Sequence, residues 1–588
     1  MFRTSYTALT GEQVAAIFAG AKPGAPQACC TSDALAGTRL SVVTDNGPKL
    51  EYAFADAKNL AVAIDGAAPV AAEYSALTLK SVVLFSHLIP GTKTGYSVIW
   101  DRKTDTVTVY EYWLDCAELK YPREVAREYY FGYAAKDGVA APETRHALTN
   151  RLENKSIVWT EGDTRVLDIF NSTMYCSFIV LSDPESGIPV AAPSDYIKIN
   201  EEIYIYSRME AEFSGILTLE VIDLYSLTAI GVRFGINQCD KLEWRAYCAE
   251  GELAGQLATF SNFTDYGGAT DFNKIGGPGT VFPEVRPKGR RAIYRVHGEY
   301  PDYTEEQARN SGQKPTSFPK AGQMLMPTGN SLPPSDFLAG KEFTLRMDGG
   351  FTVEYKIADH DSLQWRYPGE AAWHDETYRA FESGEDLIFF AHIQTGLEFG
   401  QAIKAAVDFS NGLVTILHSR QGNGHAWREV GFDVLFGVLE YEGVHPPELL
   451  RHTFTTDLVG KAFTWNYSDG PDGLTSMHTY SSPWGYSWTI FLGTQEGGML
   501  WSSPCAYIKL RDDAYIMSWV EETSAGGQGT VLINTRTMHD AGFMYGAFDP
   551  FADPNVKSEP MVGLSSLGAY GRAAGTLDIM KYFVPKAK

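Results

Sequence analysis

Between residues 514 and 522 the chain alternates so that Tyr515, Met517, Trp519 and Glu521 fall on one face of an extended strand. A carboxyl in line with three large side chains is a candidate proton carrier. Desolvation on such a face raises its hold on the proton and makes it a donor or acceptor near neutral pH. The competing reading is a glutamate at a rim, solvated or paired with a cation. A second stretch carries Tyr204, Tyr206, Arg208 and Glu210 at the corresponding places. An arginine two residues from the glutamate invites an ion pair, which suits structure better than proton transfer. Of the two carboxylates, Glu521 is the one expected to do chemistry.

Other residues join this candidate set. Trp159 and Trp465 match between the two stretches, and Tyr467 shares the face of Trp465 where the first copy has Glu161. A Trp/Tyr pair at a barrel entrance binds an aromatic or carboxylate ligand, or plugs the barrel. Phe85-Ser-His87 corresponds to Phe390-Ala-His392, each inside an apolar run and each preceded by a shared tyrosine, Tyr74 or Tyr378. Imidazole and phenol together can trade protons or orient a ligand, so His392 is a second catalytic candidate, with His87 and Tyr378 as ligand-binding ones. The alternative is a hydrogen-bonded core histidine. His360 and His374 stand beside acidic residues, but with no H-x-x-x-H spacing and no counterpart in the first half they imply no metal. A G-x-S-x-G elbow and a Cys-His nucleophile arrangement are both missing, which disfavours covalent hydrolysis.

The elements that position these residues are set by a tandem duplication. Ser32-Asp-Ala-Leu-Ala-Gly37 recurs as Ser335-Asp-Phe-Leu-Ala-Gly340, and Tyr196-Ile-Lys198 through Gly235 recurs as Tyr507-Ile-Lys509 through Gly546. For 588 residues, length alone allows roughly three to five domains. The repeats divide the chain into an N-terminal extension (1–31), segment A (32–138), segment B (146–238), a Gly/Pro-rich connection (239–334), segment C (335–444), segment D (452–548) and a tail (549–588). A pairs with C, and B with D. Runs of period 2 in D, separated by Asp-Gly, Gly-Gly and Arg-Asp-Asp turns, read as about eight strands, enough to close a small barrel. With 13% aromatic residues to fill such interiors, the fold class is all-β: tandem small antiparallel barrels, four segments in two duplicated pairs. In the connection, residues 304–310 are expected to form a short helix, and Gly276-Gly-Pro-Gly279 lacks the Lys-Ser/Thr ending of a phosphate loop.

Partners are bounded by charge and composition. A net charge of −23 repels a phosphate backbone, so nucleic acid is not expected, and the basic run Lys288-Gly-Arg-Arg291 reads as a solvated loop. No window approaches the roughly 20 apolar residues of a membrane span, and the N-terminus lacks a signal-peptide core. Seven cysteines, an odd number without a C-x-x-C pair, suggest free thiols in a reducing, cytoplasmic setting. Self-association into a homo-oligomer is left open.

Segment D resembles the phenolic acid decarboxylases, small calycin barrels that need no cofactor. Leu458-Val-Gly-Lys461, Trp465-Asn-Tyr467-Ser-Asp-Gly470 and Ser518-Trp-Val-Glu521-Glu-Thr523 carry the likeness, and Met538-His539 follows at the family's interval. The resemblance implies a lipocalin-like fold and Glu521 as proton donor. It departs at two places: Trp465 stands for the first of the family's two carboxylate-binding tyrosines while Tyr467 keeps the second, and the essential arginine aligns near Gly498. In its paired A-B and C-D form the whole chain is similar to the MoaF family, as two MoaF-like units in tandem. The expectation is a cofactor-independent lyase or isomerase acting on a small aromatic or conjugated molecule. Glu521 supplies the proton, Tyr467 and Trp465 orient the substrate, and Tyr515 and Trp519 stack on it. The rival expectation is a lipocalin-like protein that binds an apolar metabolite without turnover.

Overall fold

The computed structural model describes residues 9–23, 32–115, 122–149, 151–172, 175–182, 187–210, 215–237, 239–258, 316–317, 329–397, 399–421, 430–469, 474–492, 500–521, 527–548 and 561–583. Nearly all of this is antiparallel strand; helix among the described residues is confined to Gly11–Phe18 and Met580–Phe583. Segment A runs as eight strands from Arg39–Thr44 to Ala126–Ala135, and the last pairs back on the first with Val42 opposite Ala134. Segment C repeats this from Glu342–Met347 to Val430–Glu440, closing with Leu345 opposite Leu439. Both are closed barrels.

B and D belong to one 19-stranded sheet. Within it, the strands from Lys155–Glu161 to Leu242–Leu257 pair in order, and Trp159 opposite Gly251 returns the last to the first. From Lys461–Asn466 to Met561–Leu577 the same happens, with Trp465 opposite Gly571. Each ladder is therefore longer than its expected segment. The closing strand of B lies in the stretch read as a connection, and that of D in the stretch read as a tail. They share the pattern Ala-x-Gly-x-x-Ala-Gly-x-Leu, from Ala249 to Leu257 and from Ala569 to Leu577. Small inward residues hide such a strand from a search for alternating large apolar ones. Their smallness is required: a Cβ at Gly251 or Gly571 would come within 2.6 or 2.3 Å of the Trp159 or Trp465 indole. The expected helix at 304–310, the basic run at 288–291 and the glycine run at 276–279 lie outside the described residues.

Apolar layers join the ladders. Leu84 and Ile99 of A pack with Ile205 and Leu219 of B, and Phe389 and Ala406 of C pack with Ile516, Leu532 and Phe543 of D. The two joins carry the same clasp, Arg145 on Asp45 and Arg451 on Asp348, each with an Nε–O distance of 3.0 Å. B and D meet edge to edge, with Gly255 opposite Leu577 and Leu257 opposite Gly575. Because Gly255 corresponds to Gly575 and Leu257 to Leu577, the join has the self-complementary form of a two-fold contact between copies. Ser177 and Ser487, at equivalent places in the third strand of each ladder, touch at 2.6 Å between their hydroxyls. Cys176, Cys239 and Cys505 are free. Cys248 is disulfide-bonded, which corrects the expectation of free thiols at that position. Among the described residues no helix is long and apolar enough to cross a membrane.

Candidate active site

Alternation in strand Ala514–Glu521 places Tyr515, Met517 and Trp519 on the inner face of ladder D, all buried. Trp519 lies between Cys505 and Gly529 of the neighbouring strands, and Met517 between Tyr507 and Val531. Gly529 is required there, since a Cβ would fall 2.1 Å from the Trp519 ring. Glu521 ends the strand, half-buried, and accepts the Trp519 indole N–H at 3.3 Å. A carboxylate held by an indole donor at the edge of an aromatic interior has the setting of a proton carrier.

Across the interior stand the expected Tyr467 and two residues that the sequence alone did not single out, His478 and Asp540. His478 is buried, with ring centroids 5.2 Å from Tyr486 and 6.3 Å from Trp519. Burial pushes its imidazole down to about 3, so it is neutral, and its Nδ1 has no hydrogen-bond partner. Tyr467 is 1% exposed, its ring 6.5 Å from that of His478. Its phenol is raised by burial first, then by the carboxyls of Asp540 and, more weakly, Glu521. Asp540 is fully buried and neither carboxyl oxygen finds a side-chain hydrogen-bond partner. Burial raises its affinity for the proton well above the ordinary carboxylate range, against a weaker opposing influence of the Ala569 amide. The interior setting thus favours the protonated form of this acid.

Three expected binders fall differently. Trp465 is fully buried, lies on Gly571 and donates its N–H to Tyr480 at 3.3 Å. B builds the same Trp-on-Gly contact with Trp159 and Gly251, so this indole forms the wall in both copies. Tyr515 gives its hydroxyl to the Asp512 carbonyl at 3.0 Å and also contacts Asp457, at the end of the strand remote from Glu521. It closes that end and does not face the Glu521 site. Tyr378, in C, donates to the Asp359 carbonyl at 2.8 Å and is occupied there.

The same inner positions in B are filled otherwise. Asp168 is the counterpart of His478, each being opposite the residue two before the shared tryptophan, Ile157 or Phe463. Arg208 is the counterpart of Trp519. In B these two form a buried ion pair at 2.9 Å. Glu210, the counterpart of Glu521, is held by Arg233 at 2.9 Å and Arg208 at 3.4 Å. Glu161 pairs with Arg245, and Ala229 stands where D has Asp540. At these positions B is filled by ion pairs, whereas D holds His478 and Asp540 among aromatic rings.

In A and C the shared histidines are buried and neutral. Burial pushes His87 to about 4 and His392 to about 3. Their Nε2 atoms meet Tyr52 at 3.1 Å and Tyr355 at 3.0 Å, so these tyrosines, and not Tyr74 and Tyr378, are the hydrogen-bond partners. The arrangement is the same in both barrels, surrounded by packed aromatic rings, as a core histidine requires. Asp359, His360 and Asp361 bring three ligand-type atoms within 4.8 Å, all exposed, and the Asp359 carboxylate already accepts the Asp361 and Ser362 amides. A groove of about 1050 Å³ on C, bordered by Glu342, Lys356, Gln364 and Asp375, contains none of the expected site residues.

Asp540 was legible in principle. Gly231 and Gly235 match Gly542 and Gly546, and one inward step back gives Ala229 against Asp540, an acid found only in D. His478 left no such trace, because the loops after the shared tryptophans differ in length. Comparison with known families matches the MoaF N-terminal domain to residues 322–423 and the MoaF C-terminal domain to residues 452–561. No curated protein matches the chain.

Proposed function

The chain belongs to the MoaF family, and from that premise we propose that ladder D is a cofactor-independent lyase or isomerase acting on a small aromatic or conjugated molecule. The carrying observation is the contrast between corresponding acids: Glu210 is locked to two arginines, whereas Glu521 receives an indole N–H at the edge of an aromatic interior. Glu521 moves the proton, Tyr467 and Trp519 orient the substrate, and His478 offers a neutral ring nitrogen. Trp465 shapes the wall. The expectation of proton delivery to a conjugated carbon comes from the sequence of residues 518–523 alone; the family matches are to MoaF domains and not to phenolic acid decarboxylases.

The test is Glu521→Gln. It keeps the shape and the hydrogen bond from Trp519 but cannot carry the proton, so turnover is expected to fall at least about 100-fold. Unchanged turnover removes Glu521 from the mechanism. A second reading, a non-catalytic binding protein, draws on the unpartnered polar atoms of the same interior. It predicts a small molecule retained on purification, seen by native mass spectrometry, with no conversion of it by the wild-type protein.

A further inference from the structure

Asp540 is the least explained residue of the interior. Placing a carboxyl in a fully buried position without a side-chain hydrogen-bond partner costs stability. Ladder B shows that the fold does not need it, since Ala229 occupies that place. Asp540 pairs with Ala569, and Tyr467 follows directly on Asn466, which pairs with the adjacent Tyr570. The two side chains thus stand in one row across three neighbouring strands, on the inner face. Asp540 is also the carboxyl felt most strongly by the Tyr467 phenol. A carboxyl whose burial favours the protonated form and a phenol in one row, with only the small Ala569 between them, offer two O–H donors to an aromatic interior. Donors arranged this way bind an oxygen atom that gains negative charge.

Resting on the proton-transfer reading above, we propose that Asp540 and Tyr467 form a donor pair for a substrate oxygen, and that the substrate class is an enolisable or conjugated carbonyl compound. The Glu521 carboxylate removes a proton from the carbon next to the carbonyl. The C–H electron pair becomes the C=C bond, the carbonyl π pair moves onto oxygen, and the resulting enolate oxygen is held by the Asp540 and Tyr467 hydroxyls. Glu521 then returns the proton to the far carbon of the conjugated system and the carbonyl re-forms. The net change is a shifted double bond, with no oxidant or reductant consumed.

The probe is a series of nitrophenols, whose ionised form mimics the enolate and absorbs visible light. The full-length protein is expected to bind them as phenolates, with affinity rising as the phenol becomes more acidic. Asp540→Ala, which installs the residue of ladder B, and Tyr467→Phe are each expected to weaken this binding at least about ten-fold. Asp540→Asn keeps the volume should the alanine variant fold poorly, and it is expected to weaken binding in the same direction. Glu210→Gln, in the other ladder, leaves it unchanged. Unaltered nitrophenol affinity in folded Asp540 and Tyr467 variants overturns the donor pair, even if Glu521→Gln abolishes turnover. The converse, weakened nitrophenol binding with Glu521→Gln fully active, upholds the pair and overturns the proton-transfer role of Glu521.

Discussion

At the scale of the residue, one interior holds two acids in two different settings. Glu521 lies at the edge, half-buried and hydrogen-bonded, while Asp540 lies within, where burial penalises its charge and raises its hold on the proton. The sign of the linked stability follows from the raised folded value. Above about pH 4 the unfolded chain releases this proton and the folded one keeps it, so rising pH favours unfolding. Asp540→Asn removes that slope. Urea unfolding is expected to show the variant gaining on the wild type from about pH 4 upward, by about 1.4 kcal/mol per unit of elevation removed, with no gain below pH 4. A constant difference across that range would show Asp540 to be ionised. Glu521 was legible from alternation and from its unlike copy; the pairing of Asp540 with Tyr467 was not. It depends on the tilt of the strands, which brings the end of the first strand level with the start of the seventh.

Among elements, the outer faces of the ladders matter as much as the inner ones. Strand Gly527–Asn534 turns Gly529 toward Trp519 and its outward neighbours Gln528 and Thr530 toward barrel C. There they receive Lys404, fully buried, at 2.7 and 3.2 Å. No carboxylate shares in these bonds, and burial pushes the ammonium well below its ordinary range. Barrel A has Ser97 at this place, so the buried lysine is peculiar to the C–D join. A lowered folded value in a cation means that the unfolded chain holds the extra proton below about pH 10.4, so stability rises with pH up to that point. Lys404→Met is expected to lose this rise between pH 7 and 10, measured by denaturant midpoints. An identical slope in both proteins would contradict a lowered value for Lys404. The strands themselves were legible from their period; this contact was not, because it depends on which outward faces the barrels turn to each other.

For the whole molecule, duplication explains both the architecture and the division of labour. The self-complementary join at Gly255 and Gly575 fuses two ladders as a homodimer would be fused, and afterwards each interior is free to change. B holds arginines and D holds aromatic rings, with Asp540 and His478 among them. At the join, Gly575 has φ of +144° and a Cβ there would lie 2.7 Å from the Gln256 carbonyl oxygen. Gly575→Ala is therefore expected to destabilise the protein by about 1–3 kcal/mol in chemical denaturation; a neutral effect would show the join to be dispensable. The repeat made four segments legible, yet it cut B and D one strand short, since their closing strands are marked by small residues. Solvent exchange tests the central claim most directly. The protein is incubated in D2O with a panel of conjugated carbonyl and arylacrylic compounds, and carbon-bound deuterium is read by NMR. Wild type and Glu210→Gln are expected to deuterate the same compound at equal rates, and Glu521→Gln to leave it unlabelled. Equal labelling by Glu521→Gln, or its loss in Glu210→Gln alone, would contradict the assignment of the chemistry to ladder D.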